Sequence, residues 1–124
     1  MPALSSRQRG TEAEQLAERW LRRQGLTTLA RNWHCRHGEL DLVMHQGRTV
    51  VFVEVRQRAS NAFGGAVASV TSAKQRRLGM AASAFLASRP ALAERDCRFD
   101  VLAINGHGRT AEMQWIQNAF LGEH

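Results

Sequence analysis

Residues Gly38–Arg58 read GELDLVMHQGRTVVFVEVRQR. Two runs rich in aliphatic residues, Glu39–His45 and Arg48–Gln57, flank Gln46 and Gly47, so the segment predicts an antiparallel hairpin with a tight turn. Alternation along the first run puts Glu39 and Asp41 on one face and Leu40 and Leu42 on the other. Along the second, Val51, Val53 and Val55 share one face, while Glu54 and Arg56 share the other with Val50 and Phe52. Glu54 therefore falls on a face that ought to be buried, where a carboxylate is costly unless a cation compensates it. Folding around the turn brings Asp41 near Glu54, or one pair away on the same face. Two carboxylates that close repel, and a hard divalent cation such as magnesium, often held by only one or two carboxylates, removes the conflict. An ordinary, partly buried salt bridge from Glu54 to Arg56 or another arginine satisfies the same spacing.

Upstream, Thr27–Trp33 reads as a first strand, and Ala13, Leu16, Ala17, Trp20 and Leu21 recur at the spacing of an amphipathic helix ending near Gly25. Glu12, Glu14 and Glu18 lie early in that helix, where carboxylates suit the positive end of its dipole and are for the most part solvated. Glu14 flanks the apolar face beside Ala17 and Leu21, so it looks across to the sheet if the helix packs over the hairpin. Residues 1–9 are expected to form a flexible lead-in, polar and basic over Ser5–Gly10. Downstream, Asn61–Gly65 reads as a mobile loop. A second helix then starts near Thr71, capped by Thr71 or Ser72, and runs to Ser88, with Pro90 stopping it. Its start is basic, with Lys74, Arg76 and Arg77. Phe99–Ile104 follows as a strand, Asn105–Gly108 as a turn and Glu112–Ile116 as a short strand suited to an edge. Val43 and Phe63 fit either core or exposed apolar contacts.

The chain has 124 residues with 44% hydrophobic content, the size and composition of one folded domain across 1–124 rather than a disordered segment. Its longest strongly apolar run, Val50–Val53, is far short of a membrane span, and the start has no apolar signal core, so a cytoplasmic location is expected. Cys35 and Cys97 read as reduced thiols, since no Cys-x-x-Cys pair occurs. His34, Cys35 and His37 match no common zinc spacing.

Lys plus Arg number 17 against 11 Asp plus Glu, a net charge of +6. Sixteen of those cations are arginines, whose planar fork grips phosphate through paired hydrogen bonds. From Val55 to Pro90 the sequence carries Arg56, Arg58, Lys74, Arg76, Arg77 and Arg89 and no Asp or Glu. Such a one-sign segment concentrates a polyanion, although charge alone does not separate DNA from RNA or from an acidic protein.

Taken together, Gly10 through Glu14 and Ala17, Ala30-Arg31-Asn32-Trp33, Gly38-Glu39-Leu40-Asp41-Leu42 and Val51-Phe52-Val53-Glu54-Val55-Arg56 resemble the YraN-like proteins, uncharacterised protein family 0102. The later segments Ala68–Thr71, Lys74–Leu78, Cys97–Val101, Trp115-Ile116 and Asn118–Phe120 resemble it too, so the likeness covers nearly the whole chain. That family is similar to the restriction-endonuclease-like superfamily in its Holliday-junction-resolvase branch. The resemblance implies an α/β fold with a central mixed β-sheet flanked by helices. It implies a helix carboxylate at Glu14, a strand aspartate at Asp41 and a motif glutamate at Glu54, with Asp41 and Glu54 as metal ligands.

Arg56 stands where the motif has lysine. A guanidinium stays protonated and cannot take a proton from water, but it can orient water and stabilise charge on a transition state. The resemblance therefore implies a Mg²⁺- or Mn²⁺-dependent endonuclease for structured or branched DNA. Glu14, Asp41, Glu54 and Arg56 are its catalytic set, and Arg56, Arg58, Lys74, Arg76 and Arg77 its phosphate contacts. It also implies a two-fold homodimer. The alternative suggested by Arg56 is a nucleic-acid-binding module of the same fold that is catalytically weak or inactive, and a third is an interaction protein whose basic face meets an acidic partner.

Overall fold

The computed structural model describes residues 11–58, 65–106 and 108–120. The lead-in at 1–9, Phe63 and all but Gly65 of the loop expected over Asn61–Gly65 lie outside them.

Helix α1 (Glu12–Arg23) begins with a reciprocal cap: Thr11 Oγ1 accepts from Glu14 N and Glu14 Oε1 accepts from Thr11 N. It ends at Gly25, whose φ of 102° lets Gly25 N and Leu26 N turn back onto the carbonyls of Arg22 and Leu21. Strands β1 (Thr27–Cys35), β2 (Gly38–Gln46) and β3 (Thr49–Arg58) follow as an antiparallel meander. Gln46 pairs with Thr49, so the hairpin turns on Gly47 and Arg48 rather than on Gln46 and Gly47; Gly47 takes φ 59°, which suits the first turn position. A one-turn helix α2 (Gly65–Ala68) and helix α3 (Ser72–Ala87) cross over to β4 (Cys97–Asn105), which lies parallel to β3. Thr71 Oγ1 caps α3 by accepting from Lys74 N. Strand β5 (Glu112–Phe120) closes the order β1-β2-β3-β4-β5 at the far edge and runs four residues beyond the short strand expected. The fold is α/β with a mixed five-stranded sheet between helices.

The alternation of β3 splits its side chains between two cores. Val50 and Phe52 pack under α3 with Leu78, Ala81, Ala82, Phe85 and Phe99, whereas Val51 and Val53 pack under α1 with Ala17, Leu21, Leu102 and Ile104. Val43 is fully buried in the α3 core. Both cysteines are free thiols. No helix among the described residues is long and apolar enough to cross a membrane.

Two charged residues tie elements together inside these layers. Glu18, expected to be solvated, is buried: it accepts from Thr28 Oγ1 at 2.6 Å and Arg31 Nε at 2.7 Å, pinning α1 to β1. Burial raises its pKa, but the bonds from Arg31 and Thr28 outweigh that and hold it below the usual carboxylate value. Asp100 is wholly buried where the β4–β5 register slips, and it accepts from Arg98 Nε at 3.0 Å, Trp115 Nε1 at 2.9 Å and Asn118 N at 2.9 Å. Arg98 continues to Gln46 Oε1 at 3.0 Å, so one carboxylate joins β5 to the β2–β3 hairpin. Asp100→Ala strands Arg98 and the Trp115 indole, and a loss of about 3–5 kcal/mol is expected in urea unfolding. A midpoint within error of the wild type would contradict this role.

Candidate active site

Strand directions decide where the chemistry collects. β3 and β4 are parallel, α3 leaves from the end of β3, and α1 runs antiparallel to β1, with Glu14 beside Asn32 and Glu18 beside Thr28. Both long helices therefore start at the end of the sheet where β3 and β4 finish. Their unpaired N–H groups and positive dipole ends make that end favourable for anions.

Asp41 lies on β2 at a change of phase. Alternation expects Leu40 and Leu42 on one face, yet Leu40 joins the α3 core and Leu42 the α1 core. Their β1 partners follow the same split: Trp33, opposite Leu40, meets Phe85 of α3, and Arg31, opposite Leu42, meets Glu18 of α1. Between the two pairs stand Asn32, in the left-handed region at φ 47°, and Asp41. The kink takes Asp41 out of the regular pleat, and its Oδ2 accepts from Val55 N at 3.0 Å, one residue past Glu54.

The hairpin brings Asp41 against Glu54, as its register expects. Burial, the nearby Glu54 charge and contact with the Glu54 carboxyl together raise the Asp41 pKa from 3.8 to about 9, only partly offset by the Val55 N–H. The Glu14 charge adds to this. Asp41 therefore favours its protonated form at neutral pH when no divalent cation is bound.

Glu54 is 4% exposed, and its Oε2 receives Arg56 Nη2 at 3.0 Å and Lys74 Nζ at 3.1 Å. The salt bridge left open by the sequence is thus present, with a lysine as well as an arginine. Lys74 is brought in by the first turn of α3, and its ammonium reaches the same carboxylate oxygen as Arg56. Arg56 Nε is buried and has no hydrogen-bond partner among the described residues. Glu14 faces the cluster from α1, its Oε1 accepting from Asn32 Nδ2 at 2.9 Å. Glu39 is exposed at the rim, 3.7 Å from His34 Nε2.

A pocket of about 90 Å³ opens beside Asp41, lined by Gly38, Glu39, Lys74, Arg77 and Leu78. Arg77 thus shares the site with Lys74, while Arg76 is exposed on the same helix and Arg58 sits half-buried at the end of β3. Across α1, a wider cleft of about 630 Å³ includes Arg19 and Arg109, two cations that sequence patterning did not single out. Asn32 falls inside the Ala30-Arg31-Asn32-Trp33 motif, and its left-handed backbone has no local sequence signature beyond its residue type.

Among the described residues, no three His, Cys, Asp or Glu side chains converge as a self-sufficient metal site. The donor set that does exist is two adjacent carboxylates, all oxygen, with Asp41 open to the pocket and Glu54 buried beside it. That fits a hard cation such as Mg²⁺ or Mn²⁺, which keeps several waters and takes its remaining ligands from a phosphate.

The raised Asp41 pKa fixes the sign of a pH effect. Between about pH 4 and pH 9 the folded protein holds a proton that the unfolded chain has shed, so the Asp41 contribution to stability is complete below pH 4 and is lost as pH rises towards 9. Asp41→Asn mimics the protonated acid and keeps an oxygen for Val55 N. In metal-free urea unfolding the wild type should lose stability relative to it as the pH rises from 5 towards 9, by up to about 1.4 kcal/mol per pH unit. Parallel profiles at all pH values would contradict the assignment.

The family model described as "Uncharacterised protein family UPF0102" matches residues 13–104, which include Glu14, Asp41, Glu54, Arg56 and Lys74. The chain is 52% identical over 121 residues to a UPF0102 protein of Pseudomonas entomophila, covering 97% of this chain and 98% of the relative. It is 55% identical over 111 residues to one from Saccharophagus degradans, with 90% and 91% covered. A third, from Alcanivorax borkumensis, is 50% identical over 125 residues, with 99% and 100% covered. By both the family match and these near full-length likenesses, the chain belongs to the uncharacterised protein family UPF0102.

Proposed function

We propose that this protein is a Mg²⁺- or Mn²⁺-dependent endonuclease acting on structured or branched DNA in the cytoplasm. The observation that carries the reading is the pair Asp41 and Glu54, two carboxyl groups held together, with Asp41 lining a pocket whose other walls carry Lys74 and Arg77 and with Glu54 joined to Lys74 behind it. Protein interiors avoid such a pair unless a cation joins it, and the phosphodiester is the substrate that brings both negative charge and cation ligands.

A divalent ion bound there supplies a lowered pKa for an attacking water and Lewis-acid pull on the phosphoryl oxygen. The chain's own residues do the rest. Asp41 and Glu54 would hold the ion, and Val55 N–H fixes the Asp41 carboxyl. Lys74 and Arg56, both within 3.1 Å of Glu54, place positive charge where the transition state gathers negative charge. Arg56 keeps its buried Nε as a donor for a phosphate oxygen, a role that needs no deprotonation. Glu14 orients the α1 side of the site, and Arg58, Arg76 and Arg77 carry the flanking phosphates. A two-fold homodimer of this chain gives two such sites for the symmetric strands of a junction.

One observation favours a second reading, a nucleic-acid-binding module without efficient catalysis: Glu54 is already neutralised by Arg56 and Lys74.

The test is incubation with linear, single-stranded, flapped and four-way-junction DNA in EDTA, Mg²⁺ or Mn²⁺. Cleavage of the branched substrates that needs metal and falls on the order of 100-fold or more in Asp41→Ala and in Glu54→Ala is expected. Lys74→Ala should lower the rate while leaving DNA affinity within about threefold, since one of several phosphate contacts is lost. Salt-sensitive binding without cleavage at any metal would overturn the nuclease in favour of the second reading.

A further inference from the structure

Asn32 carries two energetic costs at one position. Its backbone is left-handed at φ 47° in the middle of β1, where a residue with a Cβ is strained. Its side-chain Oδ1 is buried and has no hydrogen-bond partner among the described residues. The amide orientation is chemically fixed: the Glu14 carboxylate can only accept, so the NH₂ faces it at 2.9 Å and the carbonyl oxygen faces away. In the ladder, Asn32 stands between the pairs Arg31–Leu42 and Trp33–Leu40, at the position opposite Asp41. The unused acceptor thus belongs to the residue that joins Glu14 to the Asp41 strand.

A buried acceptor without a donor is explained if something positive arrives. A cation at Asp41 and Glu54 accounts for it, because an amide carbonyl is a hard oxygen of the kind Mg²⁺ and Mn²⁺ accept.

We propose that Asn32 is a further residue of the cation site, its Oδ1 an oxygen of the cation's ligand shell and its Nδ2 the tether that aims Glu14. The inference rests on the metal-dependent reading above. It adds a residue that composition and motif spacing did not mark, and it gives the strained backbone a purpose: a regular strand at Asn32 would point the amide into one of the two cores.

The test uses the full chain and Mn²⁺ alone, with no DNA, in calorimetric titration. Asn32→Gly removes the amide while accepting the left-handed backbone without strain, so the fold should persist. Asn118→Gly is the control, because Asn118 has the same kind of backbone at φ 54° but lies on β5 and contributes only its backbone N–H to Asp100. Asn32→Gly should weaken Mn²⁺ binding about 10-fold or more, with Asn118→Gly binding as the wild type does. Equal affinity in Asn32→Gly and wild type would overturn the role of Asn32 alone. Failure of the wild type to bind Mn²⁺ would overturn both this inference and the metal-dependent function. A measurement on the unmutated chain guards against a variant that unfolds: saturating Mg²⁺ should shift the Asn32 side-chain amide resonance and leave that of Asn118 in place, and an unmoved Asn32 signal would contradict the proposal.

Discussion

Two carboxyl groups forced together at the end of a hydrophobic hairpin set the character of this molecule. Asp41 and Glu54 come from adjacent antiparallel strands, and neither can move away without breaking the register that buries Val43, Phe52 and Val53. The protein tolerates the pair by holding a proton on Asp41 and by bringing Arg56 and Lys74 to Glu54. Both devices are provisional in chemical terms, since a proton can leave and two cations can re-aim. On the proposed metal-dependent reading, a divalent ion would replace them with a stronger neutralisation.

Asp100 shows what a purely structural buried acid looks like in the same fold. It has a guanidinium, an indole N–H and a backbone N–H as donors, each at about hydrogen-bond distance. Glu18 follows the same rule with Arg31 and Thr28. Asp41 breaks it, with one backbone donor and like-charged neighbours. The contrast separates residues that hold α1 and β5 in place from residues kept at a cost, and only the latter gather at the end of the sheet where both long helices begin.

Much of this was readable from local patterns. The hairpin, the two-faced β3 and the approach of Asp41 to Glu54 follow from period-two alternation and a turn glycine, and Glu14 follows from helical spacing beside Ala17 and Leu21. What stayed hidden depends on partners far along the chain. Leu40 and Leu42 enter different cores because Asn32, on another strand, adopts a left-handed backbone that kinks the shared ladder. Glu18 looks like an exposed helix glutamate until Arg31 is folded beneath it. Lys74, expected among the phosphate contacts, reaches Glu54 because the crossover returns α3 over β2, and the identity of that partner, twenty residues away, carries no signal in composition. Even the turn moved by one residue, since Gly47 and not its predecessor supplies the positive φ.

The central claim is that a proton and a divalent cation compete for the Asp41–Glu54 pair. Calorimetric titration of Mn²⁺ at pH 7 in buffers of different ionisation enthalpy counts the protons displaced on binding. The account predicts release of about one proton per ion bound in the wild type and of none in Asp41→Asn. Tight Mn²⁺ binding with no proton released by the wild type would contradict it.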